Sequence, residues 1–438
     1  MHILFVLHGF PPETSGGTER ATEALARAMQ AAGHRVSVAA GSLGLGRPDQ
    51  IGEDDLDGLP VFRMHRDDLY HDTWFKAHHP AVSTAFAALL QRLQPDLVHV
   101  QHWIRLTSDL VRVAKLAGCA TAVTLHDYFT MLATPVRAVG DDEPAPPPTP
   151  GYVSTVEAEE AFALHRRDFA AEIAAADLRC APTQSHADGL RAMATTEVGH
   201  IEVAPPPLLQ VPRRRSAEGG TRRRRLVTWG SWYPAKGLEV VLEALRRVGG
   251  AFELDVFGEA HEPGHRAALE ELARDLPVRW RGPFRLADLE QIDADYAVLP
   301  SRCHESYGLA LDEAMLLGLP VLASDLPAYR ERAAADSCRL FAPGDAAALA
   351  ALLRDEPGLQ SLVAPDPAPP NGPARAAEHL LELYGRARAG SLPGAPVAPP
   401  VTDRERYAAL FRRAEWRLWT ALQQPHPPPP PPSLLGPA

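Results

Sequence analysis

The sequence predicts an α/β protein made of two Rossmann-like, doubly wound domains that face each other across a cleft. Three observations carry this reading. Short apolar runs alternate with helical patterns almost throughout, which implies parallel sheets covered by helices on both faces. One tract of proline, glycine and arginine, "PPPLLQVPRRRSAEGGTRRRR" over 205–225, breaks the rhythm mid-chain, as an interdomain linker does. A chain of 438 residues with 45% hydrophobic content can bury two cores.

In the first half, "ILFVL" is a buried strand that runs into "HGFPPETSGGTER". The helix "TERATEALARAMQAAG" follows, with Thr18 as its cap, Glu19 at its positive end and Gly33 as its stop. "HRVSVAA", "DLVHV" (96–100) and "TAVTL" (121–125) are strands, with a helix near 105–117 between the last two. The proline-rich, acidic stretch 133–151 is expected to be an exposed loop. After it come the helix "AEEAFALHRRDFAAEIAAAD", the strand "LRCAPT" and a helix for which Ser185 is the candidate cap. The second half repeats the pattern from "RLVTWG" through "FELDVFG", "VRWRG", "DYAVLPS" and "PVLASD", each followed by a helical or turn segment. The expected division is a domain over 1–205, a linker over 206–225 and a domain over 226–395. A helix over 396–424 is able to pack back on the first domain, and a disordered proline tail covers 425–438.

A formal charge of −11 argues against a general nucleic-acid binder, and the arginine runs of the linker read as solvated. The only N-terminal apolar run, Ile3–Leu7, is too short for a signal-peptide core or a span. Cys119, Cys180, Cys303 and Cys338 form no C-x-x-C pair and read as buried thiols. A cytoplasmic location is expected, with peripheral membrane contact open but unsupported. His65, His71, His78 and His79 lie after the third strand without ligand spacing, so no metal is expected there. A nicotinamide cofactor is disfavoured, because "GSLGLG" (41–46) has the wrong glycine spacing.

In such folds the chemistry lies in loops after strands. "PSRCHESYGLALDEAMLLGLPVLASD" is the most informative. Tyr307-Gly308-Leu309 present free amides at a helix start, an anion site, and Glu305 and Glu313 flank it, placed to accept hydrogen bonds from sugar hydroxyls. In "TWGSWYPAKGLEVVLEAL", Gly230 permits a tight exit from the strand and Lys236-Gly237 delivers an ammonium at a helix start, suited to neutralising a diphosphate.

The pairing of "GSWYPAKG" with "ESYGLALDEA" and then "GLPVLASD" resembles the second half of the GT-B-fold glycosyltransferases of family 4, retaining enzymes that use sugar nucleotides. "PPETSGGTE" is similar to that family's N-terminal glycine loop, "DLVHVQHW" to its fourth strand and exit, and "TLHDY" to its histidine-bearing fifth strand. The resemblance runs from the N-terminus to about residue 390.

The resemblance implies transfer of a sugar from a nucleotide-sugar co-substrate to a hydroxyl acceptor, whether a glycan, a lipid-linked sugar or a small natural product, with no metal or other cofactor. His126, Lys236 and Glu305 would be catalytic. Glu305 would hold donor-sugar hydroxyls, Glu313 the ribose, and Lys236 the diphosphate together with the amides of Tyr307, Gly308 and Leu309. His126 would lie near the reacting carbon, and Gly16-Gly17 would let backbone approach the diphosphate or acceptor. The acceptor side, on the first domain, would include Trp103, Asp127 and Tyr128. Two departures stand out: Ser231 occupies a position where relatives commonly carry arginine, and "SDLPAYRE" lacks a glycine common before that turn, which leaves Glu331 a secondary candidate. No residue of these motifs is an obvious nucleophile, in keeping with same-face attack assisted by the departing phosphate. The competing reading is a degenerate GT-B domain that only binds.

Overall fold

The computed structural model describes the chain except residues 69–76, 141–143, 149–152, 196, 209–223, 250, 261, 263, 284–287, 290–291, 366–370, 391–412, 414–416 and 418–438. The first half contains β1 (His2–Leu7), α1 (Gly17–Ala31), β2 (Arg35–Leu45), β3 (Gly52–Leu56), β4 (Leu59–Arg66), α2 (Pro80–Leu93) and β5 (Leu97–Val100). There follow α3 (Leu110–Leu116), β6 (Ala120–Thr124), α4 (Phe129–Leu132), α5 (Thr155–Ala175), β7 (Leu178–Ala181), α6 (Gln184–Met193) and β8 (Glu202–Val203). These strands form one sheet in the order β3-β4-β2-β1-β5-β6-β7-β8, parallel except for the β3–β4 hairpin.

Strand β1 shows why the sheet is covered on both sides. Leu4 and Val6 face one core, packed with Phe86 and Leu89 of α2 and Phe169 of α5. Ile3, Phe5 and Leu7 point the other way, into a core shared with Leu25 and Met29 of α1. Alternating residues bury in opposite layers, so the strand reads as continuously apolar.

The second half contains β9 (Arg224–Trp229), α7 (Leu238–Val248), β10 (Phe252–Phe257), α8 (His265–Leu272), β11 (Val278–Gly282), β12 (Tyr296–Leu299) and α9 (Leu309–Leu316). After these come β13 (Val321–Ser324), α10 (Pro327–Arg330), β14 (Cys338–Phe341), α11 (Ala346–Arg354), α12 (Glu356–Gln360) and α13 (Pro373–Arg388). The second sheet is all parallel, in the order β11-β10-β9-β12-β13-β14.

Several local expectations are corrected. Helix α1 begins at Gly17 with Gly16 at the cap, so Thr18 lies inside it, and its hydroxyl does not cap. Helix α6 is capped by Thr183, whose side chain accepts from the His186 amide; Ser185 is already within the helix. His65 belongs to β4, and His79 caps α2 by accepting from the Val82 amide, while His71 lies outside the described residues.

The largest difference concerns α13, which the expected division assigned to the second domain. Ala376, Ala377, Leu380, Leu383 and Tyr384 instead pack against α1 and the underside of the first sheet. The fully buried Tyr384 hydroxyl lies 2.5 Å from Nδ1 of His99 on β5. The return crossing is pinned by Asn371, whose side-chain amide donates to the carbonyls of Pro205 and Pro206 at 2.8 and 3.1 Å. The expected 396–424 helix lies outside the described residues apart from Arg413 and Arg417, both helical; Arg417 pairs with Glu157 of α5 at 2.6 Å. The proline tail lies outside them, as does most of the linker.

The 133–151 stretch is not wholly a free loop. Ala138 bridges antiparallel to Cys303, the Val139 amide donates to Arg302, and the His304 amide donates to Arg137. The start of this stretch is therefore paired with the segment just before Glu305.

Candidate functional site

A cavity of about 660 Å³ opens between the two sheets. Its walls lie at strand C-termini: Ser15–Gly17 at the start of α1 on one side, and on the other Thr228–Tyr233 at the end of β9 and beyond, Gly258-Glu259 after β10 and Leu299–Ser301 at the end of β12 and beyond. Parallel strands leave their carboxyl ends on one edge, so residues far apart in sequence converge there.

The structure brings Gly16, Gly17, Ser231, Lys236, Glu305, Gly308, Leu309 and Glu313 into this one cavity. Lys236 closes a single turn of 3-10 helix, Pro234–Lys236, and its Nζ sits 2.6 Å from Oε1 of Glu305. The Ser301 hydroxyl donates to the same oxygen at 2.8 Å. Burial disfavours both charges, but each holds the other: Glu305 stays below the ordinary carboxylate range and the Lys236 ammonium is held above its usual value. Glu313 accepts from the Trp229 indole N–H at 2.7 Å, and burial pushes its carboxyl pKa up.

Gly308 precedes α9 with φ of +78°, and a Cβ there would lie 2.5 Å from the Tyr329 ring. Only glycine fits both demands. Beneath it, Arg332 stacks 3.6 Å over the buried Tyr307 ring, pairs with Asp312 at 3.0 Å and donates to the Gly308 carbonyl. The Tyr307 side chain is thus a support for the loop and does not line the cavity. Across the cleft, Gly17 has ordinary backbone geometry and packs close to α9: a Cβ would come 3.3 Å from Cδ1 of Leu309, a tight contact.

Three further expected residues lie apart. Trp103 is only 4% exposed in the first core, edge-on to Phe169, with its indole N–H donating to Glu172. It is a packing residue; an apolar ring after a strand turned inward because that layer needed filling. Asp127 accepts from the Phe129 amide at 2.9 Å and from Nε2 of His102 at 3.1 Å. Nδ1 of His102 takes the Trp103 and Ile104 amides, so its proton is on Nε2 and Asp127 orients it. Tyr128 is buried edge-on to His186, with the Arg137 guanidinium 5.8 Å above its ring.

His126 follows β6 by two residues and is half-buried, with Nε2 2.5 Å from the Gln101 side-chain oxygen. Burial lowers its pKa to about 3, so it is neutral at pH 7. It does not line the cavity but sits among His8, His102 and Asp127 at the edge of the first sheet.

Glu331 does not reach the cavity either. Its two carboxylate oxygens accept from the Gln184 and Ser185 amides, both at 2.9 Å, so a residue of the second half satisfies the open N-terminus of α6 in the first. Beside it, the Thr183 hydroxyl donates to the Ser306 carbonyl at 2.8 Å. Sequence reasoning also missed Arg63, whose guanidinium donates to the carbonyls of Phe10 and Pro11 and fixes the proline loop ahead of Gly16. No local signal marks such a long-range anchor. Arg20, a turn beyond Gly17, also lines the cavity and could have been found by helical spacing.

Among the described residues no group of three or more histidine, cysteine or acidic side chains is placed to hold a metal, and no helix is long and apolar enough to cross a membrane.

Residues 15–208 match the family model described as Glycosyltransferase Family 4, and residues 223–355 match that described as Glycosyl transferases group 1. Over 153 residues the chain is 35% identical to a phosphatidyl-myo-inositol mannosyltransferase of Mycolicibacterium smegmatis, a match covering 32% of this chain and 39% of that protein. A protein of the same name from Mycobacterium leprae is 37% identical over 134 residues, or 28% and 35% of the two chains. The chain thus matches well under half the length of these relatives.

Among solved structures, sucrose-phosphate synthase from Thermosynechococcus elongatus is similar with a TM-score of 0.60 at 17% identity, covering 97% of this chain and 99% of that one. HepE of Anabaena, in complex with UDP and glucose, gives 0.60 at 16% identity over 87% and 99%. The shared architecture is the GT-B fold.

Proposed function

Proceeding from a chain that is a GT-B glycosyltransferase resembling family 4, we propose that it moves a sugar from a nucleotide-sugar donor to a hydroxyl acceptor with retention of configuration. The observation that carries this is the convergence of Lys236, Glu305, Glu313 and the start of α9 in one cavity, with the Gly16-Gly17 backbone opposite. In this reading the donor diphosphate lies on the α9 amides near Lys236, Glu305 accepts hydrogen bonds from sugar hydroxyls and Glu313 from the ribose. The bond from the anomeric carbon to the phosphate oxygen breaks as the acceptor oxygen attacks the same face. The acceptor proton passes to the departing phosphate oxygen, so no protein nucleophile is required. We assign no step to a metal: the charge of the leaving group falls to Lys236 and the helix start. His126, neutral and beside the cleft, would approach the reacting carbon as a hydrogen-bonding group.

The similarity to mycobacterial phosphatidyl-myo-inositol mannosyltransferases supports a hexosyl donor and an acceptor that can be lipid-linked. The acceptor would lie against the first sheet, near the His8, His102 and His126 edge. Four free thiols support a cytoplasmic location.

The test is a calorimetric screen with UDP-, GDP-, ADP- and TDP-sugars, followed by NMR of the product's anomeric configuration. Binding of one donor and a retained configuration are expected; inversion would remove the same-face mechanism, and binding of none would remove the transfer reading.

A further inference from the structure

Of the residues that line the cavity, the cations are Lys236 and Arg20, and the carboxylates are Glu259, Glu305 and Glu313. Lys236 is already engaged by Glu305 at 2.6 Å. With Lys236 taken up by Glu305, Arg20 is the cation lining this cavity that is left to meet an incoming nucleoside diphosphate. Arg20 is suited to that role. It has no ion pair among the described residues, and its Nε is buried with no hydrogen-bond partner. Leaving a guanidinium N–H buried and unmade is costly, so the position favours a ligand that supplies acceptors.

Its location follows from helix geometry. Gly17 and Arg20 are three residues apart on α1, and Leu309 and Glu313 four apart on α9, so each pair shares a helix face. Gly17 packs against Leu309, which carries Arg20 past the first turn of α9 to a small recess that it lines with Glu313 and Leu309. Glu313 feels the charge of Arg20, although Trp229 holds its carboxylate. Ser231, on the opposite wall, contributes no charge.

We propose that Arg20, delivered from the first sheet's side of the cleft, is the second cation for the donor diphosphate. It would bind phosphate oxygens bidentately where Lys236, held by Glu305, gives a single point of charge. Because Arg20 comes from the wall opposite Lys236, the diphosphate would bridge both halves of the molecule, and binding of the leaving group would be coupled to closure of the cleft.

The inference rests on the transferase reading, and titration calorimetry with UDP, GDP, ADP and TDP separates the two. Wild type should bind one of these diphosphates, and Arg20→Ala should weaken that diphosphate about 10- to 100-fold, the range of a charge-assisted hydrogen bond. Affinity for the matching nucleoside, measured by competition, should change less than about 2-fold, and Arg20→Lys should recover part of the loss. An unchanged diphosphate affinity in Arg20→Ala, or an equal loss for nucleoside and diphosphate, overturns the role of Arg20 alone. Failure of the wild type to bind any of the four overturns the transferase reading with it.

Discussion

Nζ of Lys236 lies 2.6 Å from Oε1 of Glu305, so two charges supplied by separate strand-end loops meet as an ion pair within the cleft. Each partner is ionised because the other is there, against the cost of burial. Removing one leaves the other charged and poorly compensated; because the pair is only part-buried, the loss falls below the ~3–5 kcal/mol of a fully buried pair. Lys236→Ala and Glu305→Ala are each expected to abolish transfer while the protein stays folded. Circular dichroism with a donor-hydrolysis and transfer assay checks this, and wild-type transfer by either variant would refute the assignment.

Gly308→Ala adds a Cβ where φ is +78° and the Tyr329 ring is 2.5 Å away. We expect a stability loss of about 1–3 kcal/mol, the range for a residue held in disfavoured backbone geometry, together with weaker diphosphate binding as the α9 start shifts. Urea midpoints and calorimetry report the two effects separately. An unshifted midpoint would show that Tyr329 yields.

Glu331→Ala removes both acceptors from the N-terminus of α6. A lost cap costs about 0.5–2 kcal/mol, and this one also joins the two halves. Faster hydrogen exchange at the Gln184 and Ser185 amides is expected, with a broader distribution of domain separations by small-angle scattering. Unchanged exchange at those amides would remove the carboxylate from this role.

Ser231→Arg places a further cation on the cavity wall. Nucleoside diphosphate affinity should rise about 10-fold, with a steeper salt dependence. Equal affinity at low and high salt in both proteins would mean that position 231 does not face the phosphates.

His99 is fully buried between Tyr384 and Thr124, at 2.5 and 2.8 Å, and burial lowers its pKa to about 3. The unfolded chain then binds a proton that the folded one refuses between about pH 6.5 and 3. Stability contributed by the neutral ring is present above that window and is lost as pH falls through it, by up to about 1.4 kcal/mol per pH unit. His99→Gln should flatten the fall of unfolding free energy between pH 6 and 4 relative to wild type. Parallel slopes in the two proteins would contradict a neutral His99.

Much of the cavity wall on the second sheet's side was legible because it is local. Gly308 and Glu313 belong to one strand-loop-helix unit, and Lys236-Gly237 to another, so pattern and spacing were enough to bring them to sheet edges. The residues expected on the first domain's side were less so. Trp103, Asp127 and Tyr128 stand at the right strand ends, yet one fills the core, one orients His102 and one packs between His186 and Arg137. A loop residue's direction depends on which neighbouring layer has space, and adjacent sequence does not encode that.

By itself the sequence determined the two α/β sheets, through apolar runs that alternate with amphipathic helices, and the loops that hold Lys236, Glu305 and Gly308. Only the tertiary structure decided where α13 docks, that Glu331 caps a helix of the other half, and that Arg20 enters the cavity. The apolar face of α13 requires burial but names no partner, and the underside of the first sheet was the surface left to cover. Glu331 and Arg20 act through contacts between residues well over a hundred positions apart, which arise only once both sheets are formed and facing.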